Sequence, residues 1–253
     1  MFLTPMRTRS LKLTLEYDGT DFSGWQRQPG RRTVQGALEE ALRTVLRHDV
    51  EVAGAGRTDA GVHALGQVAS LETPSDLPPS KIRAALNGVL PDDVAVLAVE
   101  EAPEGFNARF AARAKHYRYR ILEGPVRRPL ELRHAWHCRH ALDLERMRLA
   151  AARLVGTHDF RAFAREPDTR ASTVRTLFAL DARRDGFILS LDVKGDGFLY
   201  NMVRALAGTL VEVGRGKLAP ESVDAVLLAR DRAAAGPTLP ARGLFLVEVE
   251  YAR

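Results

Sequence analysis

The stretch Gly54-Ala55-Gly56-Arg57-Thr58-Asp59-Ala60-Gly61-Val62-His63-Ala64-Leu65-Gly66 lies between two β-like runs, residues 50–53 and 67–72. Its four glycines and three alanines leave the backbone nearly bare, and glycine lets a ligand or a second backbone approach closely. Within it, Arg57 carries a guanidinium, Thr58 a hydroxyl, Asp59 a carboxylate and His63 an imidazole. This composition indicates a functional site, although a local ion pair in an ordinary turn is the alternative. A dinucleotide-binding loop is not favoured, because neither a third glycine at the required spacing nor an amphipathic helix follows.

Length and charge limit the class of protein. At 253 residues the chain can form one large domain or two small ones. The net charge of +5 and the isoelectric point near 9.6 favour an anionic partner. Cys138 is the only cysteine, which excludes an internal disulfide and a cysteine-based zinc site. Without a transmembrane-length apolar run or a signal-peptide core in the first ten residues, we predict a cytoplasmic protein that does not enter a membrane.

Hydrophobic periodicity predicts an α+β fold. In the first half, strands are expected at 11–17, 50–53, 67–72 and 94–99, and helices at 33–46 and 80–90. This β-α-β-β-α-β order is ferredoxin-like. The second half repeats the order loosely, with strands at 115–122, 133–139, 173–181, 187–193 and 244–251 and helices at 143–155, 199–213 and 220–229. We therefore predict two pseudo-twofold-related ferredoxin-like (RRM-like) halves, 1–110 and 111–253, which share a mostly antiparallel sheet with a central cleft.

Residues 18–32 form a long loop that combines Phe22 and Trp25 with Arg27, Arg31 and Arg32. Aromatic rings stack on bases and arginines grip phosphates, so this mixture suits RNA binding. The alternative is that the two aromatic rings anchor the loop to the hydrophobic core.

The second half contains two further candidate stretches. On the strand 115–120, Tyr117 shares a face with Tyr119 and could stack on a base, or could simply pack in the core. Residues 195–204 place a Gly-x-Gly turn before a helix that carries Arg204. An arginine beside an apolar stripe is usually solvated. If Arg204 instead points into a cleft it needs a carboxylate, and Asp59 is the obvious partner.

A metal site is suggested only weakly, by the sequence His134-Ala135-Trp136-His137-Cys138-Arg139-His140. On a strand, His134 and His140 would share a face. Two histidines without a nearby carboxylate are a poor metal site, so no metal is predicted.

The motif Gly56-Arg57-Thr58-Asp59-Ala60-Gly61-Val62-His63-Ala64 closely resembles the signature of the tRNA pseudouridine synthase A family. Further blocks resemble the family: Tyr17-Asp18-Gly19 with Phe22, Gly24, Trp25 and Gln26, then Lys115-His116-Tyr117-Arg118-Tyr119, then Phe198-Leu199-Tyr200-Asn201-Met202-Val203-Arg204, then Thr238-Leu239-Pro240-Ala241-Arg242-Gly243-Leu244. The resemblance therefore covers nearly the whole chain.

This resemblance implies an enzyme that converts uridine to pseudouridine at positions 38, 39 and 40 in the anticodon stem-loop of tRNA. It implies a homodimer with tRNA across both subunits, and neither a cofactor nor a metal. Asp59 would be the catalytic carboxylate, Arg204 would pair with it and lower its pKa, and Tyr117 would stack on the flipped uracil. The residues expected to bind RNA are Arg57, Thr58, His63, Arg27, Gln26, Trp25, Leu199 and Asn201.

Two other functions are considered. A non-catalytic RRM-like module would use the same arginines and tyrosines, but its Lys/Arg-Gly-Phe-Gly-Phe pattern is absent from the sequence. A nucleoside hydrolase would cleave the same glycosidic bond, but no run of aspartates that could bind calcium is present.

Overall fold

The computed structural model describes residues 8–165 and 172–252. The chain groups into two compact units: the first extends to Arg113 and also includes the residues from Leu246 onward, and the second runs from Ala114 to Phe245. The division into domains 1–110 and 111–253 stays a prediction. Within the described residues, no helix combines the length and apolar character needed to span a membrane.

The first unit begins with six elements in β-α-β-β-α-β order. They are β1 (Arg9–Tyr17), α1 (Val34–Leu46), β2 (Ala53–Gly54), β3 (His63–Thr73), α2 (Pro79–Val89) and β4 (Val94–Ala102). β1 pairs antiparallel with both β3 and β4, and the short β2 pairs antiparallel with β3. Leu11, Leu13 and Leu15 are fully buried. They occupy every second position of β1, and alternate residues of a strand lie on the same face. Thr33 caps α1, since its side chain accepts a hydrogen bond from the Gly36 amide.

The second unit is built from β5 (Ala112–Glu123), β6 (Trp136–Cys138), α3 (Leu144–Leu154), β7 (Gly156–Asp159), β8 (Val174–Asp185), β9 (Ile188–Gly195), α4 (Met202–Gly214) and α5 (Ser222–Ala229). β10 (Leu244–Tyr251) closes the chain. The order β5-β9-β8-β7 is antiparallel throughout, whereas β6 pairs parallel with β5. α3 packs against β8 and α4. Its N-cap is Asp143, whose side chain accepts from the Arg146 amide at 3.0 Å.

The α+β class and the mostly antiparallel strands are confirmed, and several predicted boundaries are wrong. Residues 63–66, predicted to be loop, begin β3. Of the predicted strand 133–139 only Trp136–Cys138, β6, is a strand. The residues before it form a turn, in which the His134 amide donates a hydrogen bond to the Glu131 carbonyl. His134 and His140 both lie outside β6, so the prediction that they share one face of a strand is wrong. β7 was not predicted, since its four residues are too short to show periodicity.

Candidate active site

Backbone hydrogen bonds hold the segment that carries Asp59. The Thr58 carbonyl accepts a hydrogen bond from the Trp25 amide at 3.0 Å, and the Val62 amide donates to the Asp59 carbonyl at 3.1 Å. Gly61 has a φ of 77°. Residues 59–62 thus form a tight turn whose third position requires positive φ, which glycine adopts at little cost. Asp59 occupies the first position of that turn.

Two buried side chains fasten the residues just before Asp59. The Tyr17 hydroxyl lies 2.8 Å from Thr58 Oγ1, and Gln67 Nε2 donates to the Gly56 carbonyl at 2.8 Å. Burial raises the pKa of Tyr17 to about 12, against the opposing hydrogen bonds of Thr58 and Gln67. The phenol is therefore neutral at physiological pH. Arg57 lies between the two fastened positions and is exposed.

Close packing against the Val62 backbone and the Trp25 ring explains the glycines at positions 19 and 54. A Cβ on Gly19 would overlap the Val62 carbonyl oxygen, and one on Gly54 would lie 2.5 Å from the indole nitrogen of Trp25. No side chain larger than hydrogen fits at either position without a shift of its neighbours. The glycines therefore let the loop after β1 lie directly against the turn that carries Asp59.

His63 follows the turn and is buried. Its Nδ1 lies 3.1 Å from the Gly19 amide and 3.1 Å from an Asp18 carboxylate oxygen. The amide donates when Nδ1 is unprotonated, whereas Asp18 accepts when Nδ1 carries the proton. In both protonation states His63 ties β3 to the loop that follows β1.

The loop that carries Gln26 and Arg27 is organised by Gln35 of α1. Gln35 Oε1 accepts from Gln26 Nε2 at 2.7 Å and from the Arg27 amide at 2.9 Å. Gln35 Nε2 donates to Glu39 at 3.0 Å, and Glu39 lies 3.2 Å from the Arg27 guanidinium. The buried amide of Gln35 thus fixes the backbone of Arg27, while the Arg27 side chain stays 71% exposed.

In the second unit Arg204 is positioned by bonds of its own guanidinium. Its Nε donates to the Leu239 carbonyl at 2.6 Å, and its Nη1 donates to Asn201 Oδ1 at 2.8 Å. Asn201 has a φ of 62°, a left-handed conformation that asparagine tolerates well. A Cβ on Gly208 would overlap the Pro237 carbonyl oxygen, so the segment before Leu239 lies directly on α4. That segment supplies the carbonyl that orients Arg204.

Two tyrosines of β5 are buried side by side on one face. The Tyr117 ring meets the Phe198 ring edge to face, with centroids 5.1 Å apart and an interplanar angle of 80°. The Tyr119 hydroxyl donates to the Pro240 carbonyl at 2.8 Å. Burial raises the pKa of Tyr119, although Arg204 and Arg242 act in the opposite direction. Tyr119 therefore holds the same segment that orients Arg204.

Comparison with known proteins decides the family. The family model described as tRNA pseudouridine synthase matches residues 14–111 and 150–252. The chain is 49% identical over 243 residues to "tRNA pseudouridine synthase A" of Geotalea uraniireducens, with 96% of this chain and 100% of the relative covered. It is 47% identical to the protein of the same name from Geobacter sulfurreducens, with the same coverage. This chain belongs to the tRNA pseudouridine synthase family.

Among solved structures, a "Cbf5-Nop10-Gar1 Complex" matches with a TM-score of 0.32 and 12% identity, and covers 79% of this chain and 54% of that chain. Membership of the tRNA pseudouridine synthase family makes the protein an enzyme of an isomerase family, with tRNA as the substrate class.

The predicted site residues of this synthase fall into both units. Asp59, Thr58, His63, Trp25, Gln26, Arg27 and Arg57 lie in the first unit, and Tyr117, Leu199, Asn201 and Arg204 lie in the second. The predicted pairing of Asp59 with Arg204 stays a prediction. Trp25 is 2% exposed, which favours the alternative that its ring anchors the loop to the core. Leu199 is likewise buried, whereas Asp59 and Asn201 are half-buried.

Sequence reasoning missed Gln35 and Gln67 as organisers of the candidate site. Both are glutamines at positions that the helical or strand pattern turns inward, and both are less than 10% exposed. A buried amide must be hydrogen-bonded, so a polar residue at an inward position was the available signal. Their partners Gln26, Arg27 and Gly56 lie in loops that precede them in the chain, and no periodic pattern identifies these residues as partners.

Proposed function

We propose that this protein converts uridine to pseudouridine at positions 38, 39 and/or 40 of the tRNA anticodon stem-loop, with Asp59 as the catalytic carboxylate. The observation that carries the proposal is the turn at Asp59. The residues on either side of Arg57 are held by buried side chains, and the carboxylate occupies the first position of the turn. A loop built in this way presents a short acidic side chain with little freedom, as covalent or electrostatic catalysis at C1′ requires.

The reaction breaks the bond between uracil N1 and C1′ and forms a bond between C5 and C1′. The C5 proton leaves and N1 gains a proton, so the overall change is an isomerisation. In this proposal the Asp59 carboxylate stabilises or attacks the electron-poor centre formed during the exchange. Arg204 keeps that carboxylate ionised, and Tyr117 stacks on the flipped uracil. Arg57 fills the space of the flipped nucleotide or holds its phosphate.

The remaining parts of the proposal concern the assembly. We infer a cytoplasmic homodimer with the anticodon arm of tRNA bound across both subunits. The pseudo-twofold relation of two ferredoxin-like halves around a central cleft belongs to the same proposal. Support for RNA binding comes from the net charge of +5 and from exposed arginines such as Arg27 and Arg57.

Replacement of the carboxylate tests the proposal. With tRNA labelled by tritium at uracil C5, wild-type protein should release tritium while the base stays attached to the RNA. Asp59→Asn should abolish this release and keep tRNA affinity within several-fold. The matched control is Asp76→Asn, an exposed aspartate outside the turn, which should keep wild-type turnover.

Other outcomes would assign another function. Substantial turnover by Asp59→Asn would remove the proposed mechanism. Release of free labelled uracil would identify a hydrolase, and binding without any tritium release would identify a non-catalytic RNA-binding protein.

A further inference from the structure

A groove of about 590 Å³ in the second unit lies outside all predicted site residues. Its walls are the loop 123–131, which follows β5, and Phe187, which precedes β9. Val126 is 73% exposed and Leu130 is 94% exposed. Exposed apolar side chains next to a concave surface are typical of interaction sites rather than of ordinary surface.

The charge of this groove comes from two arginines. Within the described residues, neither Arg127 nor Arg128 forms a salt bridge. The two acidic residues of the groove are compensated by cations that do not line it: Glu131 lies 2.9 Å from Arg120, and Glu123 lies 2.7 Å from Arg184. The groove therefore keeps two positive charges that no neighbouring carboxylate neutralises.

One of the two cations is already placed against an aromatic ring. The Arg128 guanidinium carbon lies 3.7 Å from the centroid of the Phe187 ring. A guanidinium held in this way loses less conformational entropy when it binds a phosphate or stacks on a base. Phe187 is still 37% exposed. Uncompensated arginine beside an aromatic ring is the combination that RNA-binding surfaces use.

From these observations we propose that the groove between residues 123–131 and Phe187 is a second tRNA-binding surface, which contacts the RNA backbone away from the reacting uridine. Arg127 and Arg128 contact phosphates, and Phe187 with its apolar neighbours contacts a ribose or an unstacked base. The inference rests on the proposed function in one respect, since it takes tRNA as the anionic partner. It does not depend on the role of Asp59.

The test measures tRNA binding as a function of salt concentration, with Asp59→Asn present in every protein so that no turnover occurs. The test variant carries Arg127→Ala and Arg128→Ala. The matched control carries Arg148→Ala and Arg153→Ala, which remove the same charge from α3, where each arginine is paired with a carboxylate.

We expect the test variant to bind tRNA roughly tenfold more weakly at about 0.1 M salt, and the slope of log Kd against log salt to fall by about one to two. The control should change the slope by less than half of that amount. A separate Phe187→Leu variant should lose at least about fivefold in affinity with an unchanged slope, because stacking carries no net charge.

An unchanged salt slope in the Arg127→Ala, Arg128→Ala variant would overturn the proposal. Sedimentation of the same proteins without RNA checks for the other class of partner. If the variant alters the mass of the protein in solution while the salt slope stays constant, the groove binds a second copy of the chain and the RNA assignment is wrong. If Asp59→Asn retains turnover in the earlier experiment, the binding comparison still decides this proposal on its own.

Discussion

The Asp59 turn of the first unit and the Arg204 region of the second are held in different ways. The residues beside Asp59 are fixed by backbone bonds and by Tyr17 and Gln67 beneath them. Arg204 is fixed by bonds from its own guanidinium to Leu239 and Asn201. The direction of a short aspartate side chain is set by its backbone. The long side chain of an arginine takes a defined direction only when bonds hold its guanidinium. If Asp59 is the catalytic carboxylate, as we propose, its backbone needs stronger support than the backbone of Arg204.

Among changes that keep Asp59 and Arg204, the largest effect is expected from Gly19→Ala, which would push a methyl group into the Val62 carbonyl and displace the Asp59 turn. We expect turnover to fall by roughly 100-fold, because a shift of about 1 Å can cost this much, and stability to fall by about 1–3 kcal/mol. The control is Gly88→Ala in α2, where a Cβ meets nothing within 4 Å. This change should leave turnover intact and add up to about 1 kcal/mol of stability. Wild-type turnover in Gly19→Ala would show that the turn does not need its backbone support.

The second prediction concerns the hydroxyl of Tyr17. Tyr17→Phe keeps the ring but leaves Thr58 without its partner, so we expect kcat to fall about tenfold while KM for tRNA stays near its wild-type value. Tyr251→Phe removes a comparable hydrogen bond, 2.9 Å to the Ala108 carbonyl, that does not touch the turn. Steady-state kinetics on both variants should show the kcat effect in Tyr17→Phe alone. An equal loss in both would indicate a general effect on stability.

A smaller effect is expected from Asn201→Gly, which removes the bond from the Arg204 guanidinium to Asn201 Oδ1 without straining the left-handed backbone. The Leu239 carbonyl still holds the guanidinium, so kcat should fall only about three- to tenfold. Arg47→Gly is the control, because Arg47 has a φ of 63° at the end of α1 and is exposed. A loss in Asn201→Gly as large as that in Gly19→Ala would contradict the proposed difference between the two regions.

The smallest effect appears only at alkaline pH. Burial raises the pKa of Tyr17 to about 12, whereas an unfolded tyrosine titrates near 10. Between these values the unfolded chain loses a proton that the folded protein retains, so stability falls as pH rises through this window. Urea unfolding at pH 9, 10 and 11 measures the free energy of unfolding. From pH 9 to pH 11 this free energy should fall by about 1 kcal/mol less in Tyr17→Phe than in the wild-type protein. Parallel curves for the two proteins would mean that the hydroxyl is not buried in solution.

Local patterns predicted most elements but not their long-range partners. The alternation in β1 and the apolar stripe of α1 are visible in the sequence, and β10 was predicted with its observed bounds. The start of β3 was missed because glycine and alanine hide its alternation. The glycines of the motif were expected to allow close approach, and Gly54 does lie against Trp25. Trp25 itself was predicted to bind RNA, yet its ring is buried, and only packing decides between these two roles.

By itself the sequence determined the α+β class, the basic charge and the motif at residues 56–64, because periodicity, composition and spacing are all properties of neighbouring residues. Tertiary structure alone decided that Tyr17 and Gln67 hold the Asp59 turn, that Leu239 orients Arg204, and that Arg127 and Arg128 are left uncompensated. These facts depend on hydrogen bonds and charges between residues far apart in the chain, and the fold must form before such groups can meet.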